Sequence, residues 1–161
     1  MKYQLRRQQV VGGDLPHVFG FFKSPLNLEA ITPPWLGFHV RHSTHAEVQE
    51  GTHITYRLRM YGIPFTWKSR ITEFRENEMF ADEQLTGPYR YWYHRHVFRA
   101  VRDGVAIEDV VDYELPSGVL GRVVHAAMVR RQLQQIFAYR ASVIATRFPY
   151  HATGDGREVP T

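Results

Sequence analysis

Two histidines lie two residues apart in a stretch rich in large aromatic side chains. Trp92, His94, His96 and Phe98 occupy every second position of this stretch and so have the same parity. Successive side chains of a β-strand point to opposite faces of the sheet, so these four share one face. Because tryptophan and phenylalanine are large and apolar, we expect this face to point into the protein. Both imidazoles then point there as well.

Acidic residues occupy matching positions in the neighbouring segments. Asp82 shares its parity with Phe80 in the preceding segment, and Asp109 shares its parity with Ile107 in the following one. Sequential strands are usually neighbours in a sheet. We therefore predict a polar patch inside an apolar cup, formed by Asp82, Gln84, His94, His96, Asp109 and Tyr113.

This patch has four possible roles. Carboxylate–imidazole pairing can satisfy buried polar groups and fix the packing of the strands. The patch can instead bind the polar end of a lipophilic molecule, or a histidine can act as general acid and base near neutral pH. The spacing of His94 and His96 also suits a metal ion, with Asp82 or Asp109 as a third ligand. Histidines so spaced are far commoner than metal sites, so we expect no metal and no cofactor.

The candidate residues fall into two groups. Acid–base catalysis would use His94, His96, Asp82 and Asp109. Ligand binding would use large or polar side chains expected on the inner faces of the strands and of a long helix, namely Tyr56, Met60, Trp67, Gln84, Trp92, Phe98, Tyr113, Arg130 and Phe137. Arg130 falls near the centre of the apolar helix face, where it either extends to solvent or places a cation at the mouth of a cavity.

Several other chemistries lack their sequence motifs. The chain contains no G-x-G-x-x-G, no Walker loop and no H-E-x-x-H, so a nucleotide-dependent mechanism is not expected. It also contains no cysteine. That excludes a disulfide scaffold, a thiolate nucleophile and a cysteine zinc site.

The net charge of +4 on 161 residues raises the question of nucleic-acid binding. The excess is confined to residues 115–148, which contain five arginines and no acidic residue. The rest of the chain is close to neutral. The macrodipole of a helix favours cations toward its C-terminus, so we expect no nucleic-acid partner.

The elements that position these residues can be read along the chain. Residues 2–11 predict a strand. Two short helices follow, the first capped by Asp14 and the second by Ser24 with Pro25 as its first residue, and Pro33 and Pro34 end the second. About six strands come next, including 37–43, 52–61, 89–101 and 105–115; Gly62 and Pro64 mark a turn, and Asp103-Gly104 a hairpin.

The last predicted element is an amphipathic helix of about 28 residues, about 42 Å long. Its apolar face contains Leu120, Val123, Val124, Ala127, Phe137, Ala141, Ile144 and Phe148. An antiparallel sheet with helices on one face is an α+β fold. We expect a curled sheet of about seven strands around the long helix, in one domain at 1–149 with a flexible tail at 150–161. Such packing leaves room for an internal cavity.

This order of elements resembles the helix-grip fold of the START-related, birch-pollen-allergen-like superfamily (SRPBCC). One sequence motif also resembles that of an uncharacterised bacterial branch of the superfamily, which is called cyclase/dehydrase-like. The residues of this motif are Phe80, Asp82, Gln84, Gly87-Pro88-Tyr89, Trp92, His94, His96 and Phe98. Residues 27–29, 32–34 and 136–140 resemble that branch too, and the likeness extends from about residue 3 to 148.

The resemblance implies a ligand-binding domain, since the superfamily includes lipid-transfer domains and polyketide cyclases/dehydratases. We expect a small lipophilic molecule, including an aromatic one, as the partner. The alternative is a cyclase/dehydratase-like enzyme that uses a His/Asp acid–base pair. No export signal and no apolar stretch of ~20 residues is visible, so we expect a cytoplasmic chain without an integral membrane segment. The oligomeric state is left open.

Overall fold

The fold is described from a computed structural model, which covers residues 1–116 and 122–151, with the side chains of 122–126 left out. Leu120 of the predicted helix face and the predicted tail beyond His151 lie outside the described residues. The strands are β1 (Lys2–Val11), β2 (His39–Ser43), β3 (His53–Met60), β4 (Ile63–Arg75), β5 (Met79–Thr86), β6 (Tyr91–Val101) and β7 (Gly104–Glu114). The helices are α1 (Leu15–Lys23), α2 (Asn27–Ala30) and α3 (Arg122–Arg147), with a short 3₁₀ turn at Pro34–Leu36.

The seven strands form one antiparallel sheet in the order β1-β7-β6-β5-β4-β3-β2. The predicted α+β architecture is therefore confirmed. The β6–β7 hairpin turns at Asp103 as expected, with Val101 paired to Gly104. The turn between β3 and β4 differs slightly from the prediction. It is formed by Tyr61 and Gly62, both at positive φ, whereas Pro64 already lies in β4.

Irregular pairing curls the sheet. The register shifts between Lys68 and Ser69, and again between Ile71 and Glu73, where β4 pairs with β5. A bulge bends its strand and increases the local twist. The middle of the sheet therefore becomes concave on the face that α3 covers.

The two short helices close one side of this concave face. The Asp14 carboxylate accepts a hydrogen bond from the His17 N–H at 2.9 Å, which caps α1 as predicted. The second helix begins later than expected, at Asn27 rather than Pro25. The backbone bonds from Asn27 to Ser24 and from Leu28 to Pro25 span three residues, so the segment opens with tight turns and only then becomes α-helical.

Helix α3 lies across the sheet through a stripe of buried residues at Val129, Leu133, Phe137 and Ile144, and the buried Phe148 follows directly after the helix. It contains 26 residues, close to the predicted length. Ala127, which was expected on the apolar face, is exposed, so the buried stripe runs through Val129. No helix within the described residues is both long enough and apolar enough to cross a lipid bilayer.

The end of α3 is tied to the end of β1. The Gly12 N–H donates to the Phe148 carbonyl at 3.0 Å. A side chain at Gly12 would place its Cβ 2.1 Å from the Pro149 carbonyl oxygen, a backbone atom that cannot rotate away. Only glycine permits this close approach of the two chain segments.

Gly12→Ala is expected to destabilise the protein by about 1–3 kcal/mol, because the added methyl group forces the two segments apart. The matched control is Gly20→Ala in α1, where a Cβ would meet no atom within 4 Å and alanine favours the helix. Urea unfolding measures both. Equal loss of stability in the two variants would contradict the assignment.

Candidate functional site

A cavity lies between the concave face of the sheet, the α2 region and α3. Its volume is about 160 Å³, close to the ~150 Å³ that holds a single benzene ring in an engineered protein core. Most of its lining is apolar or aromatic, and its titratable side chains include Asp82, His94 and His96 on the β5–β6 wall. Among the lining residues are Phe22, Leu28, Ile31, Phe38, Ile54, Leu58, Ser69, Tyr89, Leu133 and Ile136.

Eight of the thirteen predicted site residues line this cavity: Tyr56, Met60, Trp67, Asp82, Trp92, His94, His96 and Phe137. They come from β3, β4, β5, β6 and α3, so the alternation of each strand brings them to one space. Asp109 lies just behind the wall, in a smaller cavity between β1, β7 and α3. The other four, Gln84, Phe98, Tyr113 and Arg130, are not among the lining residues.

Three of those four have structural contacts. The Gln84 side-chain amide bonds both the N–H and the carbonyl of Tyr89, at 3.3 and 2.7 Å, and so holds the Gly87-Pro88 turn. Phe98 packs against α1, with its ring centroid 5.1 Å from that of Phe19. Tyr113 stacks on Tyr3 at 5.5 Å. The side chains of all three have the parity that was expected to point inward. They lie at positions along their strands that are outside the cavity lining.

The cation at the cavity is Arg140 rather than Arg130. Arg130 is exposed on the surface of α3, which agrees with the interpretation that it extends to solvent. Arg140 is half-buried and lines both the main cavity and the smaller one behind it. Its position was visible in the sequence, since it lies three residues after Phe137 and four before Ile144, on the same helical stripe.

The Arg140 guanidinium lies among aromatic rings. Its central carbon is 5.6 Å from the Phe22 ring centroid and 5.9 Å from that of Phe137. Its Nε and Nη2 atoms are buried, and among the described residues neither has a hydrogen-bond partner. Two N–H donors of the Arg140 guanidinium are thus buried without a hydrogen-bond acceptor. Burying them costs free energy unless a bound molecule accepts their hydrogen bonds.

The two histidines meet one buried carboxylate. Nε2 of His94 is hydrogen-bonded to Oδ1 of Asp109 at 2.9 Å. Nδ1 of His96 lies 2.8 Å from the same oxygen, but its ring is not aligned for a hydrogen bond. The two imidazole centroids are 3.8 Å apart. Strand register explains the cluster, because His96 pairs directly with Asp109 across β6 and β7.

Asp82 faces the other side of the same two rings. Its Oδ2 lies 3.8 Å from Nδ1 of His94 and 3.6 Å from Nε2 of His96. Both distances exceed a hydrogen bond, and within the described part of the chain the Asp82 carboxylate accepts none. Each imidazole therefore directs one nitrogen to Asp109 and the other toward Asp82 and the cavity.

Comparison of the sequence with protein-family profiles and with curated proteins finds no match. Comparison of the fold does find similar solved structures. A START superfamily protein from Mycobacterium smegmatis aligns with a TM-score of 0.68 at 10% identity, over 90% of this chain and 96% of that one. Ginseng major latex-like protein 151 from Panax ginseng aligns with a TM-score of 0.66 at 12% identity, over 91% and 97%.

A third similar structure is the di-domain ARO/CYC StfQ from the steffimycin biosynthetic pathway. Its TM-score is 0.70 at 13% identity, over 90% of this chain and 50% of StfQ. The chain has the START/SRPBCC helix-grip fold. The helix-grip elements are the ones that enclose the cavity, since the curled sheet and α3 supply most of its walls.

Burial inside the helix-grip fold and nearby charges shift the pKa values of His94 and Asp109. Burial, together with the neighbouring His96, lowers the pKa of His94 from 6.5 to about 4, against the opposing pull of Asp109. Burial acts to raise the pKa of Asp109, but the Arg140 guanidinium and the two histidines outweigh it and hold that pKa well below its usual range. His94 is therefore neutral and Asp109 ionised at neutral pH.

Burial also raises the pKa of the Tyr56 phenol well above its ordinary value, with the Asp82 charge adding to the effect. The Tyr56 hydroxyl is hydrogen-bonded to Oγ of Ser69 at 2.9 Å. This phenol stays protonated, so it can donate or accept a hydrogen bond at the cavity wall.

Acidification is expected to destabilise the helix-grip fold through His94. The folded pKa of about 4 lies below the unfolded 6.5, so the unfolded state binds the proton first as pH falls. The contribution of neutral His94 to the free energy of unfolding is complete above pH 6.5 and is lost progressively toward pH 4. At 1.36 kcal/mol per pKa unit, the free energy of unfolding falls by about 3 kcal/mol over this range.

Urea unfolding between these two pH values, in buffer with EDTA, measures the effect. His94→Gln removes the titrating group and can still donate to Asp109, so the free energy of unfolding should depend less on pH in this variant. An unchanged pH dependence would contradict the assignment.

Proposed function

We propose that the chain binds a small lipophilic or aromatic molecule in the cavity between the sheet and α3. The observation that carries the proposal is the lining itself. It is apolar over most of its surface, with Asp82, His94 and His96 on the β5–β6 wall and Arg140 on α3. Ligand sites commonly combine an apolar pocket with a few polar groups that orient the ligand.

Aromatic side chains favour a flat ligand. The Trp67 and Trp92 rings are nearly perpendicular, with an interplanar angle of 87° and centroids 5.2 Å apart. Tyr89 adds a third ring, 5.6 Å from Trp67. Offset and edge-to-face contacts stabilise an aromatic guest beyond its buried area. The volume of about 160 Å³ limits the buried part of such a guest to about one or two rings.

Arg140 favours an acidic group on that ligand. Two of its guanidinium nitrogens are buried and unpaired within the described residues. A carboxylate or similar anion would accept hydrogen bonds from both, in the planar geometry that guanidinium prefers. We therefore propose that the ligand is an amphipathic acid, with its apolar body against the tryptophans.

The histidine–aspartate cluster favours a second candidate, a cyclase/dehydratase-like reaction on the bound molecule. StfQ, which has a similar fold, is named an ARO/CYC protein. His94 is neutral at pH 7 and so is in the form that accepts a proton, but its lowered pKa of about 4 makes it a weak base. Under this candidate His96→Ala would keep ligand binding and lose turnover, whereas a pure binding protein shows no turnover to lose.

Calorimetric titration with 2-naphthoate and with 2-naphthalenemethanol tests the acidic-ligand proposal. Arg140→Met should weaken 2-naphthoate binding by about 10–100-fold, as expected for losing hydrogen bonds to a charged group. It should leave 2-naphthalenemethanol binding within about twofold. Arg130→Met is the control on the same helix and should change neither. Equal effects of the two substitutions would contradict the assignment.

Occupancy of the cavity is tested by blocking it. Leu28 lines the cavity and is half-buried, whereas its neighbour Leu26 is exposed and is not among the lining residues. Leu28→Trp should abolish binding of 2-naphthalenemethanol, and Leu26→Trp should leave it intact. The proposal fails if both variants bind alike. It also fails if neither probe binds and mass spectrometry detects no small molecule released from the denatured protein.

A further inference from the structure

We propose that His94, His96 and Asp82 form a binding site for one divalent transition-metal ion at the wall of the cavity. One ligand atom from each of these three residues lies within 4.8 Å of the other two. All three residues line the cavity. Two imidazoles and a carboxylate on one side of a metal leave its remaining coordination positions open.

The distances fit a site that contracts slightly around an ion. Zinc–nitrogen bonds of about 2.0–2.1 Å place neighbouring ligand atoms about 3.4 Å apart in tetrahedral geometry. Oδ2 of Asp82 is 3.6 Å from one ligand nitrogen and 3.8 Å from the other. Shortening these two separations by a few tenths of an ångström would bring the carboxylate oxygen and each nitrogen to the spacing of tetrahedral ligands.

Asp109 orients the two imidazoles for this role. When Nε2 of His94 carries the proton and donates to Asp109 at 2.9 Å, its Nδ1 has a free lone pair directed toward Asp82. His96 also directs its Nδ1 to Asp109 and its Nε2 to Asp82, although its ring is not aligned for a hydrogen bond to Asp109. A carboxylate behind a metal-binding histidine fixes the tautomer and raises the basicity of the ligand nitrogen.

The same arrangement is unfavourable without a cation. In the tautomer that donates from Nε2 to Asp109, the lone pair on Nδ1 of His94 faces the lone pairs of the Asp82 carboxylate at 3.8 Å. A carboxylate that merely paired with an imidazole would approach to about 2.7–3.0 Å and accept its N–H. Asp82 does so with neither ring. A metal ion between the three atoms removes this repulsion, and simple pairing does not account for it.

Charge and ligand type select the class of ion. The cluster contains two carboxylates and the nearby Arg140, which leaves a negative excess when both imidazoles are neutral. Imidazole ligands suit Fe²⁺, Co²⁺, Ni²⁺, Cu²⁺ and Zn²⁺, whereas Mg²⁺ and Ca²⁺ prefer oxygen ligands throughout. The site therefore fits a first-row transition metal, with its open positions directed at the cavity.

Cobalt(II) titration of the chelator-treated protein, followed by visible absorption, tests the inference. We expect one Co²⁺ per chain with a tetrahedral or five-coordinate spectrum, displacement by Zn²⁺ and no displacement by Mg²⁺. His96→Ala and Asp82→Asn should weaken Co²⁺ binding by at least about 100-fold. Asp109→Asn should weaken it by about 10–100-fold, because that residue acts through the ligands.

His53→Ala is the matched control, since His53 is exposed on β3 and is outside the cluster. It should leave the affinity for Co²⁺ unchanged. Binding that His53→Ala weakens as much as His96→Ala does, or the absence of stoichiometric binding to the wild-type chain, would overturn the proposal. These titrations use no organic probe, so their outcome is independent of 2-naphthoate binding.

A second measurement requires no substitution in the cluster, in case a variant fails to fold. In ¹⁵N NMR of the wild-type imidazoles, Zn²⁺ should shift Nδ1 of His94 and Nε2 of His96, while Nε2 of His94 keeps its proton. Shifts confined to histidines outside the cluster would overturn the assignment. Saturating Zn²⁺ should also raise the melting temperature, as a ligand of the folded state does.

Discussion

The buried carboxylate of Asp109 is the group on which the organisation of the cavity wall depends. One of its oxygens contacts an imidazole nitrogen of both His94 and His96. A charge in this position is stable only with partners, and β6 supplies two while α3 supplies Arg140. The paired register of β6 and β7 is therefore tied to the position of the helix that covers them. A slip of one residue would turn every one of these strand side chains to the opposite face.

The apolar interior is divided around this polar group. One cluster of buried side chains surrounds Phe19 and Phe98 near α1, and a second surrounds Trp67 and Trp92 near the first half of α3. The cavity lies between them, where the bulged sheet curves away from the helix. Protein interiors are normally close-packed, so a space of this size beside unpaired polar atoms is best understood as part of a ligand site.

Strand alternation was enough to predict much of the site. The inward direction of Asp82, His94, His96 and Trp92 follows from parity and the size of their apolar neighbours. Parity cannot tell how far along a strand the cavity extends, and this is why Phe98 packs under α1 instead. Arg140 was missed because the helical count placed Arg130 near the centre of the apolar face, whereas the buried stripe passes through Val129 and Leu133 and leaves Arg130 exposed. Tertiary packing decides which turn of an amphipathic helix faces the sheet.

The perpendicular contact of Trp67 and Trp92 has an optical consequence. Two indoles 5.2 Å apart and inclined at 87° are close enough for their excited states to couple, and their arrangement is chiral because the protein around them is. Such a pair produces a two-signed circular dichroism band whose intensity depends on the angle between the rings. The circular dichroism of this pair therefore reports the geometry of the cavity wall without an attached label.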